Sequence, residues 1–251
     1  CMIKTIILSV VQGLTEFLPI SSSGHLALLG KLFGITEPMP LAVFLHFGTL
    51  LAVVIYFINP IRDLLRGIFK GERQSVSYTL KIILATIPIA AVGIIIEPWV
   101  VQVFTSMTIV AILLGVTGVV VLMTGIVGKG QKSINYPAAL LIGIAQMVAI
   151  LPGISRSGMT ISAGIFLGVA PERAFRFSFL LSIPAVLGAN IYELRNISAI
   201  GNIPELLIGV FISCITGLVA LKILRSLVYR KFYYFGPYCL IVSILALILL
   251  G

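Results

Sequence analysis

Six runs of apolar residues, each close to the length of a bilayer-crossing helix, constrain this chain more than any other feature. The runs cover residues 41–58, 82–97, 106–127, 178–194, 204–224 and 234–250. A transmembrane helix needs about 20 predominantly apolar residues, with about 17 as the usual lower bound. The composition agrees, since 10% of the residues are charged, against about 25% in soluble domains. The sequence predicts an all-α integral membrane protein and excludes a soluble domain, a disordered chain and a nucleic-acid-binding module.

Two further apolar regions, 5–34 and 137–168, are interrupted in the middle. The first is broken by PISSSGH, which begins at Pro19, and the second by PGISRSG, which begins at Pro152. Each half is too short to cross a bilayer, so each region is predicted to be a re-entrant helix pair. Irregular backbone is tolerated at membrane depth only where protein or a water-filled cavity surrounds it. Both breaks are therefore expected to face inward, and their tips to meet near the middle.

Basic residues are concentrated in a subset of the connections between these runs. The basic connections are 59–81, 128–136, 169–177 and 222–231. Connections 35–40 and 97–105 have no Lys or Arg, and 195–203 has one, Arg195. Because Lys and Arg accumulate in cytoplasmic loops, the basic connections are predicted to lie inside and both chain ends outside. The net charge of +9 has the same explanation.

The two breaks resemble each other in sequence. LPISSSG from Leu18 matches LPGISRSG from Leu151, with Gly153 as one inserted residue. Three predicted spans follow each break, and since three is odd, the second copy is inverted relative to the first. The sequence thus predicts one membrane domain built from two inverted repeats, 1–136 and 137–251.

Polar residues at the two breaks suit an anionic ligand. Helix N-termini present free N–H groups and a positive dipole end, and Arg156 adds a guanidinium that can contact phosphate through two donors. Gln12 and Glu16 are four residues apart, so they share a helix face. An ionisable residue at membrane depth marks a functional site by default. His46, within a span, is interpreted as packing or hydrogen bonding inside the bundle.

Both breaks lie in long motifs. The stretch QGLTEFLPISSSGHL, from Gln12 to Leu26, resembles the first signature of the undecaprenyl-pyrophosphate phosphatase family, also called the bacitracin-resistance family. PGISRSGMT, from Pro152 to Thr160, resembles the second. The resemblance covers essentially the whole chain. It implies a phosphatase that converts undecaprenyl pyrophosphate to undecaprenyl phosphate and recycles the lipid carrier of cell-wall synthesis.

The resemblance also implies a setting and partners for the protein. It implies a multi-pass protein of the plasma (inner) membrane whose active site opens to the extracytoplasmic face. The implied partners are the polyprenyl pyrophosphate substrate and membrane lipid, with a homodimer as a candidate assembly. No cofactor is certain, and a divalent cation, Mg²⁺ or Ca²⁺, is a candidate at Glu16. Gln12 stands where the family has Glu or Gln, which leaves one carboxylate and weakens a site built on a carboxylate pair.

Carried over residue by residue, the resemblance implies catalytic roles for Glu16, Ser22, His25 and Arg156. It implies substrate-binding positions at Gln12, Ser21, Ser23, Gly24, Gly153, Ser155, Ser157, Gly158 and Thr160.

Three reaction schemes remain open at this point. Ser22 attacks with His25 as its base, or His25 attacks directly, or Glu16 activates water with or without a divalent cation. In each scheme Arg156 and the helix ends stabilise charge on the transferring phosphoryl group. The competing function is a transporter or flippase for a phosphate-bearing lipid, since inverted repeats with broken helices are typical of transporters. The nucleophile, base and acidic residue grouped on one loop favour the enzyme.

Overall fold

The computed structural model describes residues 2–32, 34, 39–128, 130–194, 203–229 and 231–250. Within these residues the chain forms eleven α-helices and one short 3-10 helix, with no β-strand. The helices are α1 (Met2–Phe17), α2 (Ser22–Leu32), α3 (Met39–Tyr56), α4 (Ile58–Phe69), α5 (Arg73–Thr105), α6 (Met107–Met123), α7 (Tyr136–Val148), α8 (Arg156–Phe166), α9 (Pro171–Leu194), α10 (Ile203–Val228) and α11 (Phe235–Leu250).

The prediction of an all-α membrane protein is confirmed. Among the described residues, four helices are long and apolar enough to cross a membrane, and the number reaches six if each of two bent pairs is one span. One pair joins α3 to α4 at 68°, and the other joins the end of α5 to α6 at 100°. Both predicted breaks are present, since α1 ends before α2 begins at Ser22, and α7 ends before α8 begins at Arg156.

The predicted span limits are wrong around α5. The expected loop 59–81 contains α4 and the start of α5, and the expected outer connection 97–105 is the last part of α5. Helix α5 continues through Pro88 and Pro98. Proline usually ends a helix because it removes one N–H donor and clashes with the preceding turn. In membrane helices the freed carbonyl groups find other partners, which permits proline in the interior.

Small residues let the broken helices approach their long partners. Helix α1 packs on α10, and α7 packs on α5. A Cβ at Gly13 of α1 would lie 2.6 Å from the carbonyl oxygen of Ser213 in α10, and a Cβ at Gly143 of α7 would collide with the backbone of Ala85 in α5. If the halves 1–136 and 137–251 are exchanged, α1 takes the place of α7 and α10 takes the place of α5, so the two contacts interchange. An inverted repeat would require this. The division at residue 137 stays a prediction.

The core lies where these helices meet. Phe17 at the end of α1 contacts Phe179 of α9 edge to face, with 5.5 Å between ring centroids, and both side chains are fully buried. Phe57 and Phe175 extend this aromatic group. Phe17 follows Glu16 directly, so this packing fixes the end of α1 that carries the carboxylate.

Candidate active site

The first break is closed by a serine in an unusual backbone conformation. Ser21 has φ of 65°, in the left-handed region that non-glycine residues rarely adopt. Its Oγ accepts a hydrogen bond of 3.2 Å from the N–H of Gly24 and lies 3.2 Å from Ser23 Oγ. Ser21 therefore caps α2 and satisfies one of the N–H groups that a helix start leaves unpaired.

The second break repeats this capping, although its left-handed residue lies two positions before the cap. That residue is Gly153, with φ of 97°, and a side chain there would collide with the backbone of α6. Ser155 Oγ accepts a hydrogen bond of 3.1 Å from the N–H of Gly158 and lies 3.2 Å from Ser157 Oγ. The half-helices α2 and α8 are thus capped by the same pattern, serine–x–serine–glycine.

The two breaks meet, as expected from the sequence. The N–H of Gly153 donates to Ser23 Oγ at 3.3 Å, and Ser157 Oγ donates to the carbonyl oxygen of Leu18 at 3.3 Å. Thr117 of α6 donates to the carbonyl oxygen of Gly153 at 3.1 Å. These contacts bring the N-termini of α2 and α8 together. Thr117 supports this junction, and it could not be identified from the two motifs because it lies outside both.

Glu16 lies at the centre of the polar cluster. Its Oε1 accepts from Arg156 Nη2 at 2.8 Å, and its Oε2 accepts from Ser22 Oγ at 2.7 Å and Gln12 Nε2 at 3.1 Å. His46 Nε2 lies 3.4 Å from the same Oε2. Ser22 and Arg156 are the first residues of α2 and α8. One carboxylate therefore links equivalent positions of the two breaks.

The guanidinium of Arg156 has a hydrogen-bond donor that Glu16 does not use. Arg156 Nη1 is buried and has no hydrogen-bond partner among the described residues. The adjoining recess, whose lining includes Thr49, Ser182 and Val186, is too narrow to hold a water molecule. Entry of a diphosphate therefore requires side chains here to move.

His25 is placed away from the carboxylate. Its Nδ1 lies 2.8 Å from the carbonyl oxygen of Ser21, and its Nε2 lies 2.9 Å from the hydroxyl of Tyr238 in α11. Ser22 Oγ donates to Glu16 instead. The structure therefore corrects the first reaction scheme, because Ser22 is paired with Glu16 and not with His25. The scheme with direct attack by His25 requires that Nε2 first leave Tyr238.

Thr160 supports the first turn of α8 from inside the protein. Its hydroxyl donates to the carbonyl oxygen of Arg156 at 2.8 Å and lies 2.6 Å from Ser178 Oγ of α9. The side chain is fully buried. These contacts fix the first turn of α8 against α9, so Thr160 supports Arg156, and its role in substrate binding stays a prediction.

His46 joins the polar cluster from α3. It is the only His, Asp, Glu, Lys or Arg in the run 41–58, and the sequence predicts packing or hydrogen bonding inside the bundle for it. The structure places its Nε2 beside Glu16, with 29% of the side chain exposed. The sequence offers no reason to assign Tyr238 to the site, because a tyrosine near the end of a membrane helix is common.

The donors for a divalent cation are few. Among the described residues no group of three or more His, Cys, Asp or Glu could hold a metal ion. Gln12 Oε1 is buried without a hydrogen-bond partner in that part of the chain, and it belongs to the side chain that contacts Glu16. An amide oxygen and one carboxylate suit Mg²⁺ or Ca²⁺ only if substrate oxygens complete the coordination.

Comparison with known proteins gives one consistent result. The family model described as bacitracin resistance protein BacA matches residues 5–245. An undecaprenyl-diphosphatase of Methanococcus maripaludis strain C6 is 40% identical over 251 residues, covering 98% of this chain and all of the relative. An undecaprenyl-diphosphatase of Thermosipho melanesiensis is 39% identical, covering 98% of each chain. One of Halothermothrix orenii is 40% identical, covering 99% of this chain and 98% of the relative.

Proposed function

We infer the function from the premise that the chain belongs to the BacA family of bacitracin resistance proteins: it is an undecaprenyl-diphosphatase. It hydrolyses undecaprenyl diphosphate to undecaprenyl phosphate and inorganic phosphate, and so recycles the lipid carrier. The relatives of that name match it along nearly their whole lengths. The observation that carries the proposal is that Glu16 holds Ser22 on one oxygen and Arg156 on the other.

Arg156 binds the terminal phosphate in this proposal. Its free Nη1 provides a first donor, and a dianionic phosphate competes with Glu16 for Nη2. Planar guanidinium matches phosphate through two parallel hydrogen bonds. The N-termini of α2 and α8, with Ser23 and Ser157, add partial positive charge and hydroxyl donors around the same anion.

Ser22 is the nucleophile, and Glu16 is its base. As Ser22 Oγ bonds to the terminal phosphorus, its proton passes to Glu16 Oε2, 2.7 Å away, and the bridging P–O bond breaks to release undecaprenyl phosphate. The departing phosphate takes this proton from Glu16. Water then attacks the phosphorus of phosphoserine and gives a proton to Glu16, the P–Oγ bond breaks, and Glu16 passes the proton to Ser22 Oγ as inorganic phosphate leaves. Because Arg156 turns from Glu16 to phosphate, the carboxylate loses a cation and becomes a stronger proton acceptor when substrate is bound. In the competing scheme Glu16 activates water directly.

The donor set also bears on the candidate cation. Gln12 Oε1 and the Glu16 carboxylate would hold Mg²⁺ or Ca²⁺ together with phosphate oxygens. Such an ion would neutralise charge on the diphosphate.

The setting of the enzyme is proposed from the family to which the chain belongs. Membership supports a plasma-membrane protein whose site opens to the extracytoplasmic face, and the distribution of Lys and Arg supports the orientation of its helices. No described contact bears on the homodimer, which stays a prediction.

Phosphate release from undecaprenyl diphosphate by the purified protein in detergent tests the function. One phosphate per diphosphate is expected, together with undecaprenyl phosphate. Glu16→Gln is expected to be nearly inactive, and Glu172→Gln, at an exposed carboxylate, to match the wild type. Recovery of intact diphosphate after binding would instead favour the transporter or flippase and contradict the enzyme.

A further inference from the structure

Helix α11 is attached to the first break at two successive residues. Tyr238 OH lies 2.9 Å from His25 Nε2, and Cys239 Sγ donates to the carbonyl oxygen of Pro19 at 3.4 Å. The rings of His25 and Tyr238 are parallel within 4°. Since Nδ1 lies against the carbonyl oxygen of Ser21, it carries the ring proton of a neutral imidazole. Nε2 is then the acceptor and Tyr238 the donor.

Tyr238 lies at the margin between the polar site and the apolar surface. Its side chain is 43% exposed, and it begins an exposed stripe on α11 that continues through Ile241, Leu245 and Ile248. This spacing of three and four residues marks one helix face. By contrast, the side chains of Glu16 and Arg156 are 8% and 13% exposed. Arg156 and Ser22 contact the Glu16 carboxylate, whereas His25 contacts Tyr238, which adjoins the apolar surface.

A prenyl diphosphate has the same order of chemistry along its length. The terminal phosphate comes first, the phosphate that stays on the lipid second, and the apolar chain third. His25 and Ser22 are three residues apart on α2 and therefore share a face. The phosphate that stays on the lipid therefore needs its own hydrogen-bonding side chains. They are expected between Ser22 and the surface that faces lipid.

We propose that His25 and Tyr238 form a second phosphate subsite, which binds the phosphate retained on the prenyl chain; this rests on the proposed function. Their polar atoms are 2.9 Å apart, so together they can contact two oxygens of one phosphate. On binding, Tyr238 turns its O–H from Nε2 to a phosphate oxygen. Nε2, protonated from solvent, donates to a second oxygen. The subsite favours a lipid diphosphate over free phosphate.

Product inhibition separates the two subsites. Hydrolysis of farnesyl diphosphate is measured in detergent with farnesyl monophosphate or inorganic phosphate as inhibitor. Because hydrogen bonds to charged groups contribute about 1.5–3 kcal/mol, Tyr238→Phe is expected to weaken inhibition by farnesyl monophosphate about 10- to 100-fold. Inhibition by inorganic phosphate, which needs only the Arg156 subsite, is expected to change less than about twofold.

Two further variants make the test decisive. Tyr234→Phe removes a hydroxyl from another exposed tyrosine of the same region and is expected to leave both inhibition constants unchanged. Tyr238→His keeps a ring and an N–H donor and is expected to restore most of the affinity for farnesyl monophosphate, whether or not Tyr238→Phe folds well. Equal losses for both inhibitors, or none for farnesyl monophosphate, would overturn the subsite. Failure of the wild type to hydrolyse any prenyl diphosphate would instead refute the proposed function.

Discussion

Glu16 and Arg156, 140 positions apart in the chain, form an ion pair of 2.8 Å that joins the two breaks. Both side chains are largely buried, at 8% and 13% exposure. Removing one partner of a buried pair leaves an uncompensated charge and usually costs about 3–5 kcal/mol. Variants of this pair therefore need a stability measurement beside each activity measurement, and charge-conserving changes are the most informative.

Arg156→Lys should lose most activity although it keeps the charge. Lysine offers a point charge in place of a planar two-donor fork, and loss of one such contact in a water-excluded site costs about 2–4 kcal/mol of transition-state stabilisation, about 30- to 1000-fold in rate. The turnover number for undecaprenyl diphosphate checks this. Arg225→Lys, at a guanidinium that is 62% exposed, serves as the control. An Arg156→Lys enzyme within about threefold of the wild type would remove Arg156 from the site.

Ser22→Ala should abolish turnover but retain lipid binding. Arg156 and the capped helix ends remain in this variant, so affinity for the diphosphate is expected to persist. Ser23→Ala is the comparison in the same loop, because its hydroxyl accepts from the N–H of Gly153 and is proposed to contact phosphate but not to attack it. A partial loss of turnover is expected for it, with about 1 kcal/mol of stability lost. Turnover and lipid affinity of both variants are the measurements. Substantial phosphate release by Ser22→Ala would transfer the role of nucleophile to water activated by Glu16.

Gln12→Glu should remain active and become more dependent on divalent cations. The wild-type amide donates to Glu16 Oε2 at 3.1 Å, whereas a carboxylate there would repel Glu16 unless a cation lies between them. Titration of activity with a chelator and then with Mg²⁺ checks this. The expected result is a larger loss on chelation than in the wild type. Equal sensitivity in the two proteins would argue against a cation held by position 12.

His46→Ala should reduce turnover, and His46→Gln should largely retain it. The imidazole lies 3.4 Å from Glu16 Oε2, and glutamine keeps a side-chain N–H donor. Loss of one donor to a buried carboxylate corresponds to about tenfold in rate. Phe47→Ala, at a neighbouring exposed side chain, controls for disturbance of α3. Wild-type turnover by His46→Ala would limit His46 to packing.

Single cysteines at Glu72 and Ile203 should be labelled from opposite sides of the membrane. Glu72 lies in a basic connection and Ile203 at the end of a connection that is nearly free of basic residues, so the first is expected inside and the second outside. The measurement is labelling of intact cells by an impermeant maleimide, in a protein from which Cys1, Cys214 and Cys239 have been removed. Labelling of both positions from the same side would contradict the inverted topology.

Local sequence determined which residues are available to the site. Apolar runs predict helices, and the clusters of Pro, Ser and Gly predict where α1 and α7 end, because both signals lie within a few neighbouring residues. The limits of α5 could not be predicted in this way. Whether Pro88 and Pro98 end a helix depends on partners for the freed carbonyl groups, which the neighbouring residues do not specify.

Only the tertiary structure decided which of these residues act together. The motif places Ser22 and His25 three residues apart, yet Ser22 Oγ contacts Glu16, and His25 contacts Tyr238. His46 reaches the same carboxylate from α3. Such pairings depend on how each helix is rotated about its axis and how closely glycines let neighbouring helices approach. Hydropathy and short motifs specify neither quantity, because both result from side-chain packing between segments that are distant in the chain.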